Sequence, residues 1–303
     1  MSILKKKIGL VLGGGAAWGL SHIGVLKRLE EENIKPDIIV GCSIGAIIGS
    51  LYSIGISLDY IEKIVINFNY MLLLDFTKKD ELGILRGEKI LELIKILTKN
   101  KNFEDCKIKF AINVADFYTG KEKIIDTGNI AEAVRASLSI PWVFTPMKID
   151  GVLYVDGGVA DPLPTKTAYE LGAEYVISVG FSELIKDEIP DIPIPKNIMP
   201  GKYFMKNISK NEFLNKIFQN LKNTYSQPNI NYVPKMYLMI ENIINIFLVF
   251  GLNKNSYKSD LHIVPKVKKL NKANFFLGSK FIKLGYEEMS KSIETLCEEL
   301  SKK

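Results

Sequence analysis

Short apolar runs rich in β-branched residues alternate with longer stretches of helical spacing from Ile8 to Phe181. The runs Ile8–Leu12, Asp37–Cys42, Ile108–Val114, Val152–Val155 and Tyr175–Phe181 read as strands. Between them, Leu20–Glu32 carries Ile23, Leu26 and Leu29 on one helical face. Gly45–Ile54, Leu85–Thr98, Asn129–Ser137 and Pro164–Leu171 read as further helices. Strands alternating with helices predict an α/β fold with a mostly parallel sheet. Ile185–Gly201 contains four prolines and breaks regular structure. Beyond it the pattern predicts helices over Asn211–Thr224 and Pro234–Phe250, a lone strand over Leu261–Pro265 and a last helix over Ser279–Leu300. A lone strand can rejoin the sheet. A single domain over residues 1–303 is therefore expected: an α/β core (1–184), a mainly helical section (185–260), and a closing strand and helix (261–303).

The chain has 303 residues, 47% hydrophobic and 24% charged, as expected of a globular protein with a real core. Its three cysteines, Cys42, Cys106 and Cys297, form no CxxC pair, which suggests neither a disulfide framework nor a zinc site. The apolar run after the N-terminal lysines is about five residues, too short for a signal-peptide core. A cytoplasmic protein is expected, or one peripheral on the inner face of the membrane. Met236–Leu252 is strongly apolar, but Glu241, Asn242 and Asn245 interrupt it, so a packed or interfacial helix fits better than a spanning one. Charge is uneven: Lys196 to Lys303 holds 18 lysines against 8 acidic residues. That basic third can attract lipid headgroups; it reads equally as a solvated lysine-rich surface. No stacking-aromatic module or reading helix accompanies the charge, so nucleic acid is not expected.

The segment Gly41-Cys42-Ser43-Ile44-Gly45 is a G-x-S-x-G between an apolar strand and an apolar helix. In that context small residues permit a sharp turn that holds the central serine out at the helix N-terminus. Ser43 is the candidate nucleophile, and Cys42 beside it is expected to point elsewhere and pack. A serine needs a base. The only histidines, His22 and His262, lie in apolar patterns and read as packed side chains. A carboxylate is the alternative. Asp156 ends an apolar strand and precedes Gly157 and Gly158, so it can approach another strand end closely. It would need a desolvated setting to take a proton from serine. Asp161, five residues on, is the competing acid, but its place before Pro162 reads more as a turn residue.

The loop Gly13-Gly14-Gly15-Ala16-Ala17-Trp18-Gly19 follows the first strand. A P-loop needs Lys-Ser or Lys-Thr after its last glycine; here Leu20 and Ser21 follow. The dinucleotide G-x-G-x-x-G fails in both registers, with Trp18 or Ala16 where a glycine should stand. An oxyanion hole asks only for N–H groups aimed at one point, which Gly13 to Ala16 can supply.

Together, the stretches Gly9–Glu31, Asp37–Gly55, Val134–Pro164 and Gly172–Phe181 resemble the patatin-like phospholipase family, its bacterial members in particular, and the related neuropathy target esterase domain. Ser259–Met289 looks like the family's closing strand and helix. The resemblance implies a three-layer α/β/α sandwich that hydrolyses acyl esters of lipids without metal or cofactor. It implies a dyad of Ser43 as nucleophile and Asp156 as base, with an oxyanion hole of Gly14, Gly15 and Ala16. Gly13, Gly19, Gly41, Gly45, Gly157 and Gly158 match its motif glycines. Family members usually carry a basic residue where this chain has Trp18, whose ring either faces lipid or packs. Ala16, where glycine is common, is a minor change provided its φ is negative. The expected activity is that of a phospholipase A or lysophospholipase on lipid or lysolipid. The rival readings are a weakly catalytic lipid- or partner-binding regulatory protein of the same fold, and a nucleotide binder that the failed glycine registers argue against.

Overall fold

A computed structural model describes residues 6–77, 82–181 and 258–301. Eight strands form one sheet: β1 (Ile8–Leu12), β2 (Ile38–Gly41), β3 (Lys109–Asp116), β4 (Glu122–Ile125), β5 (Met147–Ile149), β6 (Val152–Asp156), β7 (Tyr175–Val179) and β8 (Leu261–Ile263). Their order is β5-β6-β3-β2-β1-β7-β8, with β4 pairing to β3 off this path. The centre from β3 to β8 is parallel, whereas β4 and β6 pair antiparallel to β3 and β5 pairs antiparallel to β6. The lone strand of the C-terminal section rejoins the sheet as β8, with Ile177 opposite Leu261.

The helices are α1 (Ser21–Glu31), α2 (Ile44–Ser53), α3 (Leu58–Asn67), α4 (Glu88–Leu97), α5 (Ile130–Ser137), α6 (Thr165–Glu170) and α7 (Gly278–Ser301). Alternation along β1 explains the layers. Ile8, Leu10 and Leu12 enter the main core with Ile23 and Leu26 of α1, Ile48 and Leu51 of α2, and Phe281 and Met289 of α7. Val11 points to the opposite face, where Ile38, Val40 and Val176 meet Ala168 of α6. Buried on both faces, β1 reads as a continuous apolar run rather than an alternating one.

Three elements escape the sequence pattern. β4 and β5 are short and carry exposed lysines, and α3 follows α2 after only a brief turn. The helix expected from Leu85 begins at Glu88, because Gly87 takes a left-handed conformation (φ 75°) at its N-cap. The expected proline-rich break and the helices over 211–224 and 234–250 lie outside the described residues. Among the described residues no helix is long and apolar enough to cross a membrane.

Candidate active site

Leu12 pairs with Gly41 at the C-terminal ends of β1 and β2, so the glycine loop and Ser43 leave the sheet side by side. Gly45 makes this approach possible, since a Cβ there would collide with the Leu12 carbonyl. Ser43 is the N-cap of α2 and sits at φ 53°, ψ −120°, a strained conformation for a residue with a side chain. This sharp turn holds a serine hydroxyl at a helix N-terminus, where the dipole favours negative charge.

Asp156 ends β6, opposite Val114 of β3. It is buried, its Oδ1 accepts from the Gly158 N–H at 2.8 Å, and the Ser43 hydroxyl lies close enough to the same carboxylate to favour its charged form. Burial pushes its pKa up to about 6, while Ser43 and Gly158 pull the other way. The expected pair is thus brought together, and the carboxyl has the desolvated setting that base catalysis demands.

Cys42 packs, as expected: it is buried, with its Sγ 4.0 Å from Asp156 Oδ1. Burial and the neighbouring carboxylates raise its pKa well above the ordinary thiol value, so it stays a neutral thiol. Both histidines are packed, as anticipated. Burial lowers His22 to a pKa of about 4, and its neutral ring donates from Nε2 to the Gly13 carbonyl at 2.8 Å. His262 Nδ1 meets Ser178 Oγ at 2.8 Å on the far side of the sheet centre. Asp161 takes the turn role, its Oδ1 accepting from the Leu163 N–H at 2.9 Å. Burial nonetheless raises its pKa to about 7.

A Cβ on Gly14 would stand 3.5 Å from Ser43 Cβ, which puts the glycine loop against Ser43. The Gly13 N–H donates to the Val179 carbonyl and the Gly14 N–H to the Pro162 carbonyl at 2.9 Å. Of the three N–H groups expected in an oxyanion hole, those of Gly15 and Ala16 have no hydrogen-bond partner among the described residues. The Ile44 N–H at the start of α2 is a further uncommitted donor. Ala16 has φ 49°, so alanine here is not the minor change a negative φ would have made it. Gly15 is needed for a different reason, since a Cβ would run into the Phe181 ring.

Trp18 packs. Its Nε1 donates to the Leu270 carbonyl at 2.8 Å, the Lys272 ammonium lies 4.7 Å from its ring centroid, and Phe181 flanks it at 6.0 Å. The remaining motif glycines mark close approaches, Gly19 to Ile44, Gly41 to Ala46 and Gly157 to Asn113. Sequence reasoning missed Ser137 and Arg135. Ser137 Oγ accepts from the Ser43 N–H, and Arg135 is buried behind it. A charged residue at a buried position of an otherwise apolar helical face was the one available signal. Among the described residues no cluster of three or more His, Cys, Asp or Glu side chains is placed to hold a metal ion.

A serine in a strained strand-to-helix turn, paired with a buried carboxyl beside free backbone N–H groups, defines the class of site. Comparison with known proteins then supplies the family. The patatin-like phospholipase model matches residues 10–169, more than half of the chain. The chain belongs to the patatin-like phospholipase family. It is 33% identical over 178 residues to an uncharacterised NTE family protein of Mycobacterium tuberculosis, a match covering 58% of this chain and 49% of that protein. It is 30% identical over 193 residues to the lysophospholipase NTE1 of Pyricularia oryzae, covering 61% of this chain but 13% of that one. The chain thus spans at most about half the length of these curated relatives. The crystal structure of VipD from Legionella pneumophila shares the fold, with a TM-score of 0.59 at 13% identity over 96% of this chain and 67% of that one.

Proposed function

We propose that this protein is a serine acyl-ester hydrolase acting on a lipid or lysolipid, of the phospholipase A or lysophospholipase type. The observation that carries the reading is the Ser43 hydroxyl beside a buried Asp156 carboxyl whose pKa lies near 6. Above that pH the carboxylate takes the hydroxyl proton as Ser43 Oγ attacks the acyl carbonyl. The N–H groups of Gly15 and Ala16 hold the resulting oxyanion. As the tetrahedral adduct collapses, the ester C–O bond breaks and protonated Asp156 returns its proton to the leaving alkoxide. Water, deprotonated by Asp156, then attacks the acyl-serine; the acid leaves and Ser43 is regenerated. No step calls for a metal or cofactor. The lysine-rich C-terminal third supports peripheral contact with an anionic membrane face, which fits a cytoplasmic protein and predicts vesicle co-sedimentation that grows with anionic lipid and fades with salt.

The test combines a fluorophosphonate label, mapped by mass, with turnover of a short-chain nitrophenyl ester and a phospholipid. Label on Ser43 is expected, and Ser43→Ala should lower kcat/KM by at least roughly 10³-fold. Asp156→Asn should lower it by roughly 10²- to 10⁴-fold. Undiminished turnover in either variant would sink the dyad. A folded protein whose Ser43 never labels would favour the lipid- or partner-binding reading.

A further inference from the structure

The catalytic pair is held by one stretch of chain that carries neither of its members. Ser137, the last residue of α5, accepts the Ser43 N–H on its Oγ at 2.8 Å and donates its own hydroxyl to the Asn113 carbonyl at 2.9 Å. Two residues on, the Ser139 carbonyl accepts the Asp156 N–H at 3.0 Å. Nucleophile and base, 113 positions apart in sequence, are therefore both tied by backbone N–H bonds to a single turn.

That turn has its own anchor. Arg135 is buried at 2% exposure, with no carboxylate hydrogen-bonded to it among the described residues. Its Nε donates to the Gly87 carbonyl at 2.9 Å, Nη1 to Ser139 Oγ at 2.7 Å, and Nη2 to the carbonyls of Arg86 and of Thr145, the latter at 3.0 Å. The guanidinium lies 5.5 Å from the Phe144 ring centroid. A planar fork of five donors can join three chain segments in this way; a point charge on a flexible stem cannot. Burying a guanidinium is costly unless its donors are satisfied, so a position that keeps one is under a specific geometric demand.

We infer that Arg135, Ser137 and Ser139 form a positioning clamp that sets Ser43 and Asp156 against each other, with Arg135 fixing the turn and Ser137 fixing the nucleophile's backbone. The clamp rests on the dyad proposed above. Its role is more than stability, because Ser43 in its strained turn has an N–H that the helix itself does not satisfy, and Ser137 is the group that receives it.

The test measures the rate of fluorophosphonate labelling at Ser43 against pH, per folded molecule, in wild type, Ser137→Ala, Ser137→Thr and Arg135→Lys. Asp156 is faced by the Ser43 hydroxyl, the Gly158 N–H and the Cys42 thiol; Asp161 and Glu122 are the other acids acting on that thiol. When Ser43 drifts, its hydroxyl stabilises the carboxylate less and the acid midpoint moves up. Ser137→Ala and Arg135→Lys should label at least tenfold more slowly, with the midpoint raised by half a pH unit or more (order-of-magnitude expectations). Ser137→Thr, which keeps the hydroxyl, should recover much of the Ser137→Ala loss. Thr98→Ala, which removes a buried bond to the Ile94 carbonyl in α4, should lower thermal stability and leave the midpoint in place. Labelling of both clamp variants at the wild-type rate and midpoint would overturn the clamp and leave the dyad standing. Absence of labelling in wild type would overturn both.

Discussion

Asp156 is a carboxyl group made basic by its surroundings. Its ordinary pKa of 3.8 rises to about 6 because burial penalises the charge more than Ser43 and Gly158 stabilise it. In the proposed mechanism only the carboxylate accepts the serine proton, so kcat/KM on a soluble ester should fall about tenfold per pH unit below pH ~6 and level off above it. A profile measured from pH 4.5 to 8 with no limb in that window would contradict this role. Ala16 is a second residue defined by local physics. With φ 49° it carries the strain that a Cβ adds in the left-handed region. Ala16→Gly should therefore cost nothing or gain up to about 1 kcal/mol in denaturant unfolding, while its N–H stays in place for the ester assay.

At the scale of elements, the site is a meeting of strand ends. Adjacent parallel strands β1 and β2 deliver the glycine loop and the proposed nucleophile, and antiparallel β6 delivers the proposed base. The 3-10 turn over Ala16–Leu20 is fastened from outside by the C-terminal section: the Ala17 N–H donates to the Lys272 carbonyl and Trp18 Nε1 to that of Leu270. Trp18 thus links the loop to the segment between β8 and α7. Trp18→Phe removes the indole donor and weakens the cation–π contact, and should destabilise by about 1–2 kcal/mol. Its vesicle partition should be unchanged, which distinguishes this packing role from lipid contact. The two strands and one helix that the pattern did not reveal show what period-based reading needs. β4 and β5 each have an edge exposed to solvent and too few residues for alternation to register. Of the strands that were legible, β1, β2 and β7 are buried along their whole length.

The whole molecule carries the site as a burden on its stability. Asp156 and Asp161 both titrate in the folded protein well above 3.8, at about 6 and about 7. The fold therefore binds their protons more tightly than the unfolded chain does. Their favourable contribution is complete below pH ~4 and is lost as pH rises through 6 and 7. Asp156→Asn and Asp161→Asn should each melt at least about 2 °C above wild type at pH 8, and no higher than wild type at pH 4.5. The first should lose activity while gaining stability; the second, whose amide oxygen can still accept from Leu163, should retain the turn.

The sequence by itself determined what depends on neighbours along the chain. The apolar runs set the central strands, Gly41 and Gly45 marked the sharp turn at Ser43, and Gly157 and Gly158 marked Asp156 as a strand-end carboxyl. Ordered motifs of this kind also placed the chain in its family. Only the tertiary structure decided which N–H groups are already committed, as Gly14 is to Pro162, and where the Trp18 ring goes. It alone brought Ser137 to Ser43 in the proposed clamp, because that bond joins residues 94 positions apart. Local pattern reports the conformation of a segment and the face it buries. A hydrogen bond between distant segments depends on how the folded elements are stacked, and no spacing along the chain records that.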